Sequence, residues 1–412
     1  MLQSNDDPGA QVRSMDGAMR DSPRAWRVVA AGFIATFTLF GIVYSFGAFF
    51  RPMAAEFGAN RQATSTIFSI TAFIYFLLGP LTGHFSDRLG PRPIVACGAL
   101  AMGGGLVATA FVTRLPMAYV TYGLGAGIGV ACCYVPLVSA ISGWFLTKRN
   151  TALGVAVSGI GAGTLTIPPL AAALIRHFGW RDAYLTLGIA AAVGLGLCAA
   201  LASRPPAAAN PTAAPVSQNL RSANFALLYC AGMLWTIATA IPFVFLIPYA
   251  EARGIGQISA AALVSFIGFA STAGRLGLGA LADRMGILRL YRLCILALGL
   301  SFGIWLSAAG SYFMLAVFAL TMGASYGGAV TLTPAVVATL FGTRSLGITL
   351  GVLYTSSAFG TLLGPPLCGA IVDRTGNYSI AILLTGAATI AGSFMLAPLG
   401  RTRASSAQQD FA

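Results

Sequence analysis

The sequence predicts an all-α membrane protein, with twelve transmembrane helices arranged as two pseudo-symmetric six-helix bundles. Three observations carry this. Of 412 residues, 57% are hydrophobic and only 8% are charged, where a soluble domain carries about 25% charged residues. Apolar runs of about twenty residues, the length that crosses a ~30 Å hydrocarbon core, recur from end to end. Two motifs repeat at nearly one offset: G-H-F-S-D-R-L-G (Gly83–Gly90) returns as G-A-L-A-D-R-M-G (Gly279–Gly286), 196 residues later, and G-T-L-T-I-P-P (Gly163–Pro169) returns as G-T-L-L-G-P-P (Gly360–Pro366), 197 residues later. A parallel repeat about an axis along the membrane normal explains both.

In chain order, residues 1–24 are polar, with scattered charges, Gly and Pro, and are expected to be a disordered cytoplasmic N-terminus. Without an apolar core before the first long span, they do not read as a cleavable signal peptide. A first bundle over 25–203 has spans near Val28–Phe50, Ala63–Phe85, Ile94–Val112, Met117–Trp144, Thr151–Phe178 and Ala183–Leu201. The Pro/Ala/Asn-rich stretch 204–222 reads as a cytoplasmic linker. A second bundle over 223–400 has spans near Phe225–Ala250, Ser259–Leu281, Tyr291–Ala309, Met314–Leu340, Leu346–Ile371 and Tyr378–Leu399, and 401–412 is a cytoplasmic tail.

The basic residues orient the chain. With the N-terminus inside, the cytoplasmic segments hold 16 of the 24 Lys and Arg residues and the outer loops hold 7, leaving Arg275. Positive charge favours the cytoplasmic side, so both termini are expected there, in the cell (inner) membrane. The net charge of +13 is spread over short loops and forms no patch, which argues against nucleic acid as a partner. The seven cysteines fall inside apolar segments without metal-ligand spacing, so they read as small packing residues. No cluster suits a metal or a cofactor, and no nucleophile–base pair suggests an enzyme.

Arg275 is the residue the rest of the chain must accommodate. It lies eight residues before Asp283, where the apolar stretch Ser265–Asp283 ends. At ~1.5 Å per residue that is roughly 12 Å of depth, close to the midplane of a ~30 Å core. An isolated guanidinium there costs several kcal/mol or more. None of the eleven acids is deep in a span, so no built-in counter-ion offsets the charge. Backbone carbonyls, hydroxyls and water are one solution. An anionic substrate is the other, since the planar guanidinium suits a bidentate carboxylate.

The G-x-x-x-D-R-x-G-x-R stretch at Gly83–Arg92, echoed after the eighth span, resembles the loop motif of the major facilitator superfamily, with Pro91 in place of the usual basic residue. Within that superfamily the chain resembles the monocarboxylate transporters and the bacterial oxalate/formate antiporters. The first span, F-G-I-V-Y-S-F-G-A-F-F-R-P-M-A-A-E-F-G (Phe40–Gly58), is similar to the bacterial type. The stretch W-F-L-T-K-R-N-T-A-L-G-V-A-V-S-G (Trp144–Gly159) is similar to the monocarboxylate signature, and Tyr326-Gly327-Gly328 and the eighth-span arginine also fit. The resemblance implies one central cavity between two bundles, alternating access, and substrate carboxylate binding by Arg275. Two departures stand out. Many animal monocarboxylate transporters have an Asp where this chain has Ser271, and a lysine in the first span where the only lysine here is the loop residue Lys148. Oxalate antiporters add a lysine in the eleventh span, which here has no cation.

A single buried cation favours a substrate with one carboxylate, of lactate or pyruvate size, since a second carboxylate would stay unpaired. Candidate partners of Arg275 are Ser271, one turn earlier on the same helix face, with Tyr122, Tyr326 and Tyr354 as hydroxyl donors. Tyr44 and Phe359 are candidate apolar walls, and packing is the alternative for each aromatic. Asp87, Arg88, Asp283, Arg284, Lys148, Arg149 and Arg344, at the cytoplasmic ends of helices, are expected to gate by latching the halves in the outward-open state. The expected partners are a small monocarboxylate anion, a co-transported proton and the lipid bilayer, with the chain a monomer. Anion exchange of oxalate/formate type, a facilitator for another small molecule and a non-transporting membrane sensor are the alternatives.

Overall fold

A computed structural model describes residues 22–145, 148–205, 220–342 and 346–400; the side chains of Arg24, Asn150, Asp283 and a few neighbours lie outside that description. The expected N-terminal and C-terminal tails lie outside it except for 22–24, and so does most of the expected linker. Arg344 lies outside it as well. Within it the chain is helical, with ten helices long and apolar enough to cross a membrane and a shorter apolar helix, Ser379–Met395. One of the ten, Arg149–Leu201, is two crossings broken at Gly179, whose φ of 85° is left-handed. This is consistent with twelve spans.

The first span runs over Ala25–Phe57, further than the apolar run suggested, so that Arg51 and Glu56 are helical rather than in a loop. The extension is amphipathic, with Met53 fully buried and Arg51 exposed. The second to fourth spans are Arg61–Leu89, Pro91–Ala110 and Leu115–Trp144, and the fifth and sixth are 149–178 and 180–201. The second half runs Ala223–Glu251, Gln257–Met285, Ile287–Ser307, Tyr312–Phe341, Leu346–Thr375 and Ser379–Met395. Local chemistry sets the helix starts. Asn60 accepts from the Ala63 N–H at 2.8 Å and Ser222 from the Phe225 N–H at 3.2 Å, each satisfying a donor the helix leaves open. In the fourth span, Tyr119–Leu124 forms a π-helical turn.

The helix ends reveal the repeat. Left-handed glycines recur in pairs: Gly58 with Gly254, Gly90 with Gly286, and Gly179 with Gly376, at offsets of 196, 196 and 197 residues. Glycine takes such φ values at no steric cost, whereas a Cβ disfavours them. The crossings repeat too. Gly163 in the fifth span lies against the Phe37 backbone of the first, and its counterpart Gly360 lies against Met233 and Thr236 of the seventh. Small residues there let the helix backbones approach closely, as association within lipid requires.

The halves meet along two helix pairs. The fifth and eighth spans cross at Gly161 against Thr272 and Gly268 against Thr164, and the Ser265 hydroxyl donates to the Leu165 carbonyl at 2.6 Å. The second and eleventh spans meet at Gly369 against Gln62 and at the Phe73–Phe359 ring pair. The end of the molecule carrying Arg27, Arg92 and Arg204 is here the linker end; the other is the far end. The far end is sealed. Every residue from Ala238 to Ala250 in the seventh span is buried, and Gly47 and Phe50 of the first span are buried against it. Phe50 and Phe245 pack there with ring centroids 5.3 Å apart.

Candidate functional site

Arg275 sits on the eighth span, half-buried. Its Nε is buried and has no hydrogen-bond partner among the described residues. The guanidinium carbon lies 6.0 Å from the centre of the Tyr326 ring, a distance at which the ring face attracts a cation weakly. The described carboxylates that form ion pairs serve other arginines: Glu56 pairs with Arg181, Glu251 with Arg51 and Asp373 with Arg61.

The walls around Arg275 are aromatic and come from both halves. The hydroxyls of Tyr44, in the first span, and Tyr326, in the tenth, are 3.1 Å apart. Tyr44 stacks on Phe243 of the seventh span at 3.9 Å and 10°. Phe243 and Trp235 flank Tyr326 at 6.1 and 6.3 Å. On the other side Phe40 joins Tyr44, Tyr75 and Tyr134 at 5.6, 6.3 and 5.4 Å. The eighth and tenth spans can hold Arg275 and Tyr326 this close because Gly274 and Gly327 bring their backbones together, at Ala324 and Ser271. The arrangement offers one cation with unused donors and phenol hydroxyls within an apolar shell.

Of the residues read from the sequence, Arg275, Tyr44 and Tyr326 come together. Ser271 is buried at the eighth–tenth crossing, one turn from Arg275. Tyr354 touches the group through Phe76, which adjoins Tyr75, and is 36% exposed. Phe359 lies against Phe73 at the second–eleventh crossing and is 44% exposed. Tyr122 is elsewhere. It sits in the π-helical turn, fully buried against Phe46 and Tyr184, in an aromatic cluster internal to the first half. Its place in the fourth span told only its depth, and the π turn sets which neighbours it meets.

At the linker end, Asp87, Arg88, Lys148, Arg149 and Arg284 are exposed. The Arg204 guanidinium donates to the backbone carbonyls of Asp87 at 2.6 Å and Arg88 at 3.4 Å, the last turn of the second span. Asp283's side chain and Arg344 lie outside the described residues. Sequence reasoning missed Phe40, Tyr75, Trp235 and Phe243, whose apolar context matches dozens of packing aromatics. It also missed the far-end pairs Arg51–Glu251 and Arg61–Asp373, which join the two halves at 3.4 Å each. The signal was available, since Pro52 and Pro248 are repeat equivalents and each has a charged residue beside it or nearby.

The Major Facilitator Superfamily model matches residues 32–365 and, in a second match, 278–410. The chain belongs to the Major Facilitator Superfamily. Among curated members it is 31% identical to monocarboxylate transporter 13 of Rattus norvegicus, over 92% of this chain and 90% of that one. It is 29% identical to monocarboxylate transporter 12-B of Danio rerio, over 94% and 89%. The fold also matches solved transporter structures. A bacterial homologue of the human lysosomal transporter Spinster, solved inward-facing, superposes with a TM-score of 0.73 at 16% identity, over 93% of this chain and 98% of that one. A peptide transporter solved with sulfate gives 0.76 at 13%, over 95% and 98%. The protein is thus a multi-pass membrane transporter of the major facilitator fold, and not an enzyme.

Proposed function

We propose that the protein carries small monocarboxylates of lactate or pyruvate size across the cell membrane by alternating access, with Arg275 binding the carboxylate. The observation that carries this reading is the unpaired Nε of Arg275 beside the Tyr44–Tyr326 hydroxyl pair, at the place where the halves meet. A guanidinium in an apolar shell gains most from a planar anion that accepts two parallel N–H donors. The phenol hydroxyls suit the hydroxy or keto oxygen of a small acid. The names of the vertebrate relatives point the same way. Among the described residues these aromatic walls offer no second cation for a dicarboxylate.

The positive-inside bias places the linker end and both termini in the cytoplasm. On that orientation the sealed far end is extracellular, and the molecule is closed to the outside. The two bundles divide near 204–222, and the chain works as a monomer. Asp87, Asp283 and their basic neighbours close the cytoplasmic side in the opposite state, as Arg51–Glu251 and Arg61–Asp373 close the outer side in this one.

A proton accompanies the anion. The test is uptake of labelled lactate or pyruvate into proteoliposomes under an imposed pH gradient. Acceleration by the gradient without internal anion supports symport; uptake only against internal anion establishes exchange. Arg275→Lys keeps the charge but loses the fork, so undiminished affinity in that variant overturns the carboxylate clamp.

A further inference from the structure

The linker end holds a cleft that substrate transport leaves unused. It has a volume of about 370 Å³, and among the described residues its lining includes Arg27, Arg92, Arg204, Trp144 and Ser203 but no acidic side chain. The first, third and fourth spans and the end of the sixth contribute to it. Its polar groups are held in place. Arg92 donates to the Ala200 carbonyl at 2.7 Å, Arg204 to the Asp87 carbonyl at 2.6 Å, and the Trp144 indole N–H to the Ser203 carbonyl at 3.1 Å. Each guanidinium has five N–H donors, so these bonds anchor Arg92 and Arg204 and leave most donors free. Arg27 bonds to no described residue.

Three cations around one cavity repel one another until an anion with several acceptor oxygens joins them. A phosphate does this better than a carboxylate, because it can serve more than two donors. The cleft also continues onto apolar surface. Leu201 lines it, and Leu197 and Val193, one and two turns further along the sixth span, are 52% and 69% exposed. Trp144 is itself buried, with its N–H given to Ser203, so it lines the cleft as a fixed apolar wall.

We infer that this cleft binds the head group of an anionic phospholipid, with the phosphate on Arg27, Arg92 and Arg204 and an acyl chain along Leu197 and Val193. A free phosphate would use the arginines but not the apolar strip, so the strip selects a lipid. The bound lipid would tie together the second, third and sixth spans, because Arg204 also holds the last carbonyls of the second span and Arg92 those of the sixth.

Native mass spectrometry of the full-length protein in detergent tests this, with phosphatidylglycerol, phosphatidylcholine or inorganic phosphate added. Phosphatidylglycerol is expected to stay bound at activation energies that strip phosphatidylcholine. Arg27→Gln, which disturbs no hydrogen bond to a described residue, should weaken phosphatidylglycerol retention about fivefold, the usual contribution of one basic residue at a lipid surface. The variant R27Q/R92Q/R204Q should lose the preference for phosphatidylglycerol. R114Q/R176Q/R374Q, which removes equal charge from exposed arginines elsewhere, should keep it. Equal retention of the two lipids, an unchanged Arg27→Gln, or equal loss in the control variant overturns the inference. Displacement of phosphatidylglycerol by inorganic phosphate assigns the cleft to a soluble anion and overturns it too.

Discussion

Asp373, at the end of the eleventh span, caps the second span from the other half of the molecule through Arg61. Its Oδ1 accepts the Arg61 backbone N–H at 3.2 Å and its Oδ2 accepts that of Gln62 at 3.0 Å. The same carboxylate pairs with the Arg61 guanidinium at 3.4 Å, whose Nε donates to the Tyr378 hydroxyl at 3.3 Å. The first turn of a helix carries unpaired N–H donors and partial positive charge, so a carboxylate there serves as cap and counter-ion together. In this case the cap exists only while the two halves are closed at the far end.

Asp373→Asn keeps the shape and loses the charge. The amide nitrogen of asparagine cannot accept, so the variant loses the charge at the helix N-terminus and one of the two accepted N–H bonds, about 1 kcal/mol together, or roughly a fivefold shift between two conformations. The shift should favour opening of the far end. The probe is Ala250→Cys, at a fully buried seventh-span position, reacted with a membrane-impermeant maleimide. Labelling should rise several-fold in the Asp373→Asn background; equal rates would mean the cap does not hold that end shut.

The Tyr44–Tyr326 hydroxyl pair predicts a shared role. If both hydroxyls hold the same substrate oxygen beside Arg275, Tyr326→Phe should raise KM about three- to tenfold, the range expected for one hydrogen bond, with little change in maximal rate. Tyr44→Phe should do the same. The double variant should be scarcely worse than the poorer single one, because each substitution already breaks the 3.1 Å contact between the rings' hydroxyls. Strictly additive losses would show that the two hydroxyls act apart.

Much of this was legible in the sequence, for identifiable reasons. The repeat could be read because Gly90, Gly163 and their partners Gly286 and Gly360 are positions where backbone conformation or helix approach disfavours other residues. Arg275 could be read because a charge in an apolar run stands alone. The aromatic walls could not be read. Phe40 and Phe243 sit in the same apolar context as Phe302 and Phe318, which are core, and only the meeting of the two halves separates them. Tyr122 was misplaced for the same reason, since depth in a span does not specify the face. The far-end ion pairs join residues 200 and 312 apart in the chain, so nothing local marked them, and only the repeat that equates Pro52 with Pro248 pointed to the first.

The packing glycines give a stability prediction with an internal control. A Cβ at Gly163 would collide with the Phe37 carbonyl, and one at Gly360 would lie 2.7 Å from the Met233 carbonyl oxygen, whereas one at Gly104 meets nothing within 4 Å. Overpacking of a close crossing costs about 1–3 kcal/mol. Gly163→Ala and Gly360→Ala should therefore each lower the melting temperature in detergent by several degrees. Gly104→Ala should leave it unchanged or raise it slightly, because alanine is the better helix former. Equal behaviour of all three would show that the paired crossings are looser than drawn.

The last prediction concerns the return of the unloaded carrier. With a carboxylate bound, the Arg275 charge is paired; without one, the guanidinium must pass through the closed state beside Tyr44, Phe243 and Tyr326 with its Nε unbonded. Moving an unpaired ion into an apolar, water-poor site costs several kcal/mol even after relaxation. That penalty falls on the empty transition only, so the empty carrier should reorient more slowly than the loaded one. Efflux of a labelled monocarboxylate from proteoliposomes should then be faster with unlabelled anion outside than into buffer alone. Arg275→Gln removes the charge and with it the penalty, and so should abolish this stimulation as well as most binding. If exchange and net efflux run at one rate in the unaltered protein, the buried cation does not limit the cycle, and the charge argument for its role in coupling fails.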